Sequence, residues 1–129
     1  DVLIFTSGNE LERSIEASVQ LSGKLNVGVV NIPSIKPLNP QSIIDLISKT
    51  RMVVTVEDHL IDGGLGSAIF ECTRESAIGK PLVFHGLDNC FTQSGSVEEL
   101  YKYYNLDSNG ISEIIINNFS KFKSQLLIK

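Results

Sequence analysis

Four short, largely apolar runs set the main limit on what this chain can fold into. They are Val2-Leu3-Ile4-Phe5, Val27 to Ile32, Met52-Val53-Val54-Thr55-Val56 and Pro81-Leu82-Val83-Phe84-His85. A strand with one wet face alternates apolar and polar side chains. A run without that alternation is covered on both faces, as in parallel sheets. The β-branched residues of the third run favour extended backbone.

Between the runs the periodicity becomes helical. Leu11, Ile15 and Val19 recur every four residues, so they are expected to face the sheet from a first helix. Ser7 and Glu10 stand at capping-box spacing at its start. Pro33, Pro37 and Pro40 keep the next connection extended, and Asn39-Pro40 makes a helix start with Ile43, Ile44 and Ile47 inward. Leu65, Ala68, Ile69, Cys72 and Ser76 share one face of a third helix. A second capping box, Ser96 with Glu99, precedes Val97, Leu100, Tyr101 and Tyr104 at helical spacing. The last helix is expected from near Asp107, with Ile111, Ile115, Phe119, Phe122 and Leu126 inward. The order βαβαβαβ followed by two helices predicts a single domain over 1–129. Its fold class is α/β, three-layer and doubly wound, with a mostly parallel sheet of four to five strands.

A length of 129 residues fits one domain, and 42% hydrophobic residues supply a core. The formal net charge of −4 comes without a basic cluster, which argues against nucleic acid. No apolar stretch approaches the roughly 20 residues of a membrane span. Cys72 and Cys90 lack metal-ligand spacing and fit a reducing, cytoplasmic setting, each as a structural residue. Strand-like residues begin at Val2, so no signal peptide is expected. A first residue of Asp1 rather than Met reads as part of something longer.

In doubly wound sheets ligands bind beyond the C-terminal ends of the strands. The richest loop there is Glu57-Asp58-His59-Leu60-Ile61-Asp62-Gly63-Gly64-Leu65-Gly66-Ser67. Glycines between a strand and a helix turn N–H groups outward, and the helix dipole favours an anion. Gly63, Gly64, Gly66 and Ser67, with Glu57 and His59 beside them, are therefore candidate ligand-binding or interface residues. The plainer reading is that the glycines make a tight turn and bring helix close to sheet. Neither the dinucleotide fingerprint nor a Walker loop is present. Glu57 and His59 pair a carboxylate with an imidazole, and His85 stands at a neighbouring strand end. No complete catalytic set, cofactor-binding motif or metal-ligand set follows from these residues.

The segment Val53 to Ile69, with Glu57-Asp58-His59 and Gly63-Gly64-Leu65-Gly66, resembles the signature of the transketolase C-terminal domain. Three further segments agree in order and spacing. They are Thr6 to Glu10, Pro33-Ser34-Ile35-Lys36-Pro37-Leu38, and Gly86 to Gly95 with Glu99-Leu100 and Tyr104 to Asp107. The resemblance covers almost the whole chain. It implies an accessory, dimer-supporting domain of a cytoplasmic enzyme that moves two-carbon ketol units between sugar phosphates. In that family, thiamine diphosphate and its Mg are held by the N-terminal domains or a separate subunit, and this domain is not catalytic alone. The diphosphate–metal motif is absent from this sequence, as is the antiparallel strand that normally precedes the position of Asp1, which would leave a sheet edge to be covered.

Related families share the domain. Deoxyxylulose-phosphate synthase also suits Gly66-Ser67-Ala68 and Asp107 to Ile111, while the β subunits of 2-oxoacid dehydrogenases fit less well around Asp88 to Gly95. His59 and Ser94-Gly95 favour transketolase. An assembly role predicts an apolar patch able to bury on the order of 1,000 Å². Exposed members of Ile114-Ile115-Ile116 are candidates for it, unless that run is a wide core-facing stripe. The alternative from a different class is a regulatory module that seats an anion or nucleotide at Gly63 to Ser67.

Overall fold

The computed structural model describes residues 1–76 and 79–126, with the side chain of residue 126 excepted. The expected inward placement of Leu126 therefore lies outside the described residues. Strand β1 (Val2–Thr6) leads through helix α1 (Glu10–Gln20) to β2 (Val27–Asn31), and α2 (Pro40–Ser48) leads to β3 (Met52–Leu60). Helix α3 (Leu65–Thr73) and a short 3₁₀ turn precede β4 (Leu82–Leu87), and α4 (Val97–Tyr103) and α5 (Ser108–Leu126) close the chain. All pairings are parallel, in the order β2-β1-β3-β4, with Val2 opposite both Val27 and Met52. The winding reverses between β1 and β3. The sheet has four strands among the described residues, as the four apolar runs predict.

Each strand feeds two cores. Val2, Ile4, Met52, Val54 and Val56 pack with Ala17 and Leu21 of α1 and with Ile111, Ile115 and Phe119 of α5. Leu3, Phe5 and Val53 point the opposite way, onto Ile43 and Ile47 of α2 and Leu65 and Ile69 of α3. This two-sided burial is why the runs lack alternation. Asn39 caps α2 by accepting from the Ser42 amide, and Pro40 stands at the first helical position. Ser96 and Glu99 form the expected capping box, although α4 buries none of its residues. Cys72 packs against the α2–α3 core, whereas Ser76 lies exposed beyond the helix end. Of the isoleucine run, Ile115 is buried, Ile114 half-buried and Ile116 exposed, so it makes no continuous patch.

Helix α1 departs from expectation in two ways. Its first turn is not held by a Ser7–Glu10 capping box. Asn9 takes the cap position without a side-chain cap, and the Glu10 side chain turns inward and is fully buried. The sheet-facing stripe is also not Leu11, Ile15 and Val19, since Ile15 is 47% and Val19 68% exposed. Glu10, Ser14, Ala17 and Leu21 face inward instead. At Ala17 the reason is proximity: α5 crosses close enough for the Ser112 hydroxyl to donate to the Ala17 carbonyl at 3.4 Å, which favours a small side chain there.

The two faces should respond differently to substitution. Ala17→Leu is expected to lose about 1–3 kcal/mol by overpacking against α5, while Val19→Ser stays within about 0.5 kcal/mol of the parent. Urea unfolding of the two variants checks the assignment. A larger loss from Val19→Ser would reverse it.

Candidate functional site

The end of β3 and the start of α3 are joined by one carboxylate. Glu57 is the last buried residue of β3, and its Oε2 accepts the Leu65 amide at 2.6 Å while Oε1 accepts the Gly66 amide at 3.1 Å. These are N–H groups of the first turn of α3, which have no partner within the helix. The anion at this helix N-terminus is thus supplied by the chain itself, in the position the dipole favours. Burial raises the Glu57 pKa, and the two amides and nearby His59 oppose that rise.

The glycines follow from this contact. Gly63 has φ 76°, the left-handed region, and its amide donates to the Ser67 hydroxyl at 3.1 Å. At Gly64 a Cβ would collide with the Glu57 carboxylate and lie 2.8 Å from His59 Cε1. At Gly66 it would meet the Phe84 ring at 2.6 Å and Thr55 Oγ1 at 2.7 Å. Gly-Gly-Leu-Gly therefore gives a tight turn and a helix set close against strand and carboxylate.

The structure brings Glu57, His59, Gly64 and Gly66 into contact and places Gly63 and Ser67 on the adjoining turn. His59 Nδ1 lies 3.0 Å from the Leu60 carbonyl and 3.4 Å from Glu57 Oε2. Because a carbonyl only accepts, Nδ1 carries the hydrogen. His85 is held elsewhere: its Nε2–H donates to the Asn105 carbonyl at 2.7 Å, and burial lowers its pKa. Cys90 is exposed, while burial raises the Cys72 thiol pKa. Among the described residues no group of three His, Cys, Asp or Glu side chains is arranged to hold a metal. No described helix is long and apolar enough to cross a membrane.

A second cluster, not anticipated from the sequence, lies at the β1–β3 reversal. Both Glu10 carboxylate oxygens are buried without a hydrogen-bond partner, and burial raises its pKa to about 7, with Arg13 opposing and Asp58 adding to the rise. Asp58 Oδ2 accepts from Asn9 at 3.4 Å and from the Tyr101 hydroxyl at 3.1 Å. The Arg13 guanidinium lies 3.7 Å from the Tyr101 ring centre. The available signal was the inward spacing of Glu10, Ser14, Ala17 and Leu21, which the apolar period of Leu11, Ile15 and Val19 masks.

Known proteins similar to this chain fall in the same family. Residues 1–111 match the family model described as transketolase, C-terminal domain. A 1-deoxy-D-xylulose-5-phosphate synthase of Caldanaerobacter subterraneus subsp. tengcongensis is 36% identical over 95% of this chain, and the chain spans 20% of that protein. A putative transketolase C-terminal section of Methanocaldococcus jannaschii is 34% identical over 94% of the chain, which spans 38% of it. Among solved structures, a split gene transketolase described as an inactive beta4 tetramer superposes with a TM-score of 0.82 at 28% identity. That match covers 91% of this chain and 38% of the other.

Two measurements test the electrostatics. Glu57→Ala leaves two helix amides unpaired and should cost about 2–4 kcal/mol, and Glu57→Gln, which keeps one acceptor, roughly half of that. Equal stability of all three proteins in urea would contradict the contact. For Glu10, the native carboxyl titrates at about 7 and the unfolded one near 4.5. The native state then binds the proton more tightly. Stability from this group is full below pH 4.5, falls as pH rises to about 7, and is level above; the loss is roughly 3 kcal/mol. Buried His85 acts with the opposite sign near neutrality, so the quantity to measure is the parent minus Glu10→Gln difference across pH 4–8. A flat difference would contradict the assignment.

Proposed function

The chain belongs to the transketolase C-terminal domain family, and from that premise we propose that it is the accessory, dimer-supporting domain of a cytoplasmic transketolase. The assembled enzyme moves a two-carbon ketol unit between sugar phosphates, and this domain is inactive alone. The observation that carries the reading is the Glu57 contact. The helix N-terminus that would otherwise attract a phosphate already holds a carboxylate, and a second anion beside it would be repelled. The same contact makes the site a poor fit for thiamine diphosphate, and these residues take no part in the ketol transfer. The cofactor and its Mg belong to the remainder of the enzyme, consistent with a chain that spans 20% and 38% of two relatives.

The assembly surface is assigned to α1 and α4 rather than to Ile114–Ile116. Ile15 and Val97 are exposed there beside Leu11, along a groove that also borders Arg13 and Tyr101, and Val19 is exposed one turn further along α1. Water-exposed side chains of this size are the material of a domain contact. The resemblance at His59 and Ser94-Gly95 favours transketolase. A second reading, the equivalent domain of a deoxyxylulose-phosphate synthase, is favoured by the 36% identity to such an enzyme.

The test is reconstitution. The chain is mixed with a polypeptide carrying the thiamine-diphosphate-binding domains, and ketol transfer and deoxyxylulose-phosphate formation are both assayed. Ketol transfer from the mixture and from neither part alone is expected, with Val19→Asp lowering it at least about tenfold at limiting concentration, about 1.4 kcal/mol of association. Synthase activity from the mixture would establish the second reading instead. Activity from the chain alone would refute the accessory role.

A further inference from the structure

We propose that the Glu10 carboxyl is the trigger of a proton-operated latch that decides where the Arg13 guanidinium rests, and through it the shape of the groove between α1 and α4.

Glu10 is fully buried at the start of α1, and neither carboxylate oxygen has a hydrogen-bond partner. A neutral carboxyl tolerates this far better than an ionised one, which demands a cation or several donors. The groups facing it come from three elements. Arg13 is on its own helix, Asp58 is on β3, and Tyr101 is on α4. Ser14, one turn along α1, is buried with an unpartnered hydroxyl. Asp58 repels a second negative charge, so Arg13 is the cation left to answer ionisation.

Arg13 is already poised between two positions. Its Nη1 stands 3.9 Å from Glu10 Oε1, too far for a hydrogen bond, and donates instead to the Asn9 carbonyl at 3.0 Å. Its guanidinium covers the Tyr101 ring, whose hydroxyl is tied to Asp58. Loss of the Glu10 proton to solvent leaves a buried carboxylate, and a guanidinium movement of about 1 Å would make the charge-assisted bond of roughly 2.8 Å that it lacks. That movement shifts Arg13 relative to the Tyr101 ring that it covers. Both side chains line the groove, with Gly8, Leu11, Ile15 and Val97, so its wall changes with them. The elevated Glu10 pKa of about 7 puts the transition within reach of ordinary cellular pH changes.

The experiment is NMR of the full chain between pH 5.5 and 8.5, following the Arg13 guanidinium, the Tyr101 ring and the Glu10 carboxyl carbon. The Arg13 and Tyr101 signals should move with the Glu10 midpoint, and the ring-current shift of Arg13 should change between low and high pH. Glu10→Gln should hold both residues in their low-pH state throughout. If that variant does not fold, Arg13→Gln decides: removing the cation should raise the Glu10 midpoint by roughly one pH unit. An Arg13 signal that does not move with pH, a step that persists in Glu10→Gln, or an unmoved midpoint in Arg13→Gln would overturn the latch.

Discussion

The Glu57 carboxylate, buried between the end of β3 and the first turn of α3, is the interaction on which the strand-end architecture rests. It satisfies two backbone amides that α3 cannot satisfy itself, and it fixes how that helix leaves the sheet. Neighbouring residues are then constrained by space as well as by hydrogen bonding. Gly64 is small because the carboxylate is there, Gly66 because Phe84 and Thr55 are, and Gly63 because the chain turns through positive φ. Even Gly86, across on β4, lacks a side chain where Ile61 and the His59 carbonyl press against it. A glycine-rich turn that looks like an anion cradle is one whose anion is internal.

Glu10 is the counterpart that lacks such partners. Both acids sit at the same edge of the sheet and both are buried, and burial raises the pKa of each. Glu57 has two amides to stabilise its ionised form, and Glu10 has only a guanidinium beyond hydrogen-bond range. The first is tied into the structure by those hydrogen bonds, and the second is left to respond to its protonation. In a domain read as an accessory to catalysis, the edge nearest the strand ends thus divides into a fixed half at β3–α3 and a responsive half at β1–α4.

Most of the architecture was legible because two-sided burial leaves a direct mark: a strand covered on both faces has no polar alternation to show. The α2 cap at Asn39 and the α4 capping box were legible because local hydrogen bonding decides them. The burial of α1 was not. Its most apolar stripe, Leu11, Ile15 and Val19, faces outward, and its inward face carries Glu10 and Ser14 together with Ala17, which α5 approaches from nearly a hundred residues away. Similarly, the turn at Gly63 to Gly66 could be read as a helix start that favours negative charge. That the charge comes from Glu57, eight residues before Leu65, depends on how the end of β3 folds over α3, and no local pattern states it.

The central claim, that the α3 N-terminus is occupied by Glu57 and does not serve as a phosphate site, is tested most directly at the two amides involved. Their positions in a ¹⁵N correlation spectrum can be followed while a sugar phosphate is titrated into the parent protein and into Glu57→Ala. The Leu65 and Gly66 signals are expected to stay in place in the parent. Saturable shifts of those two signals in the parent protein would contradict it.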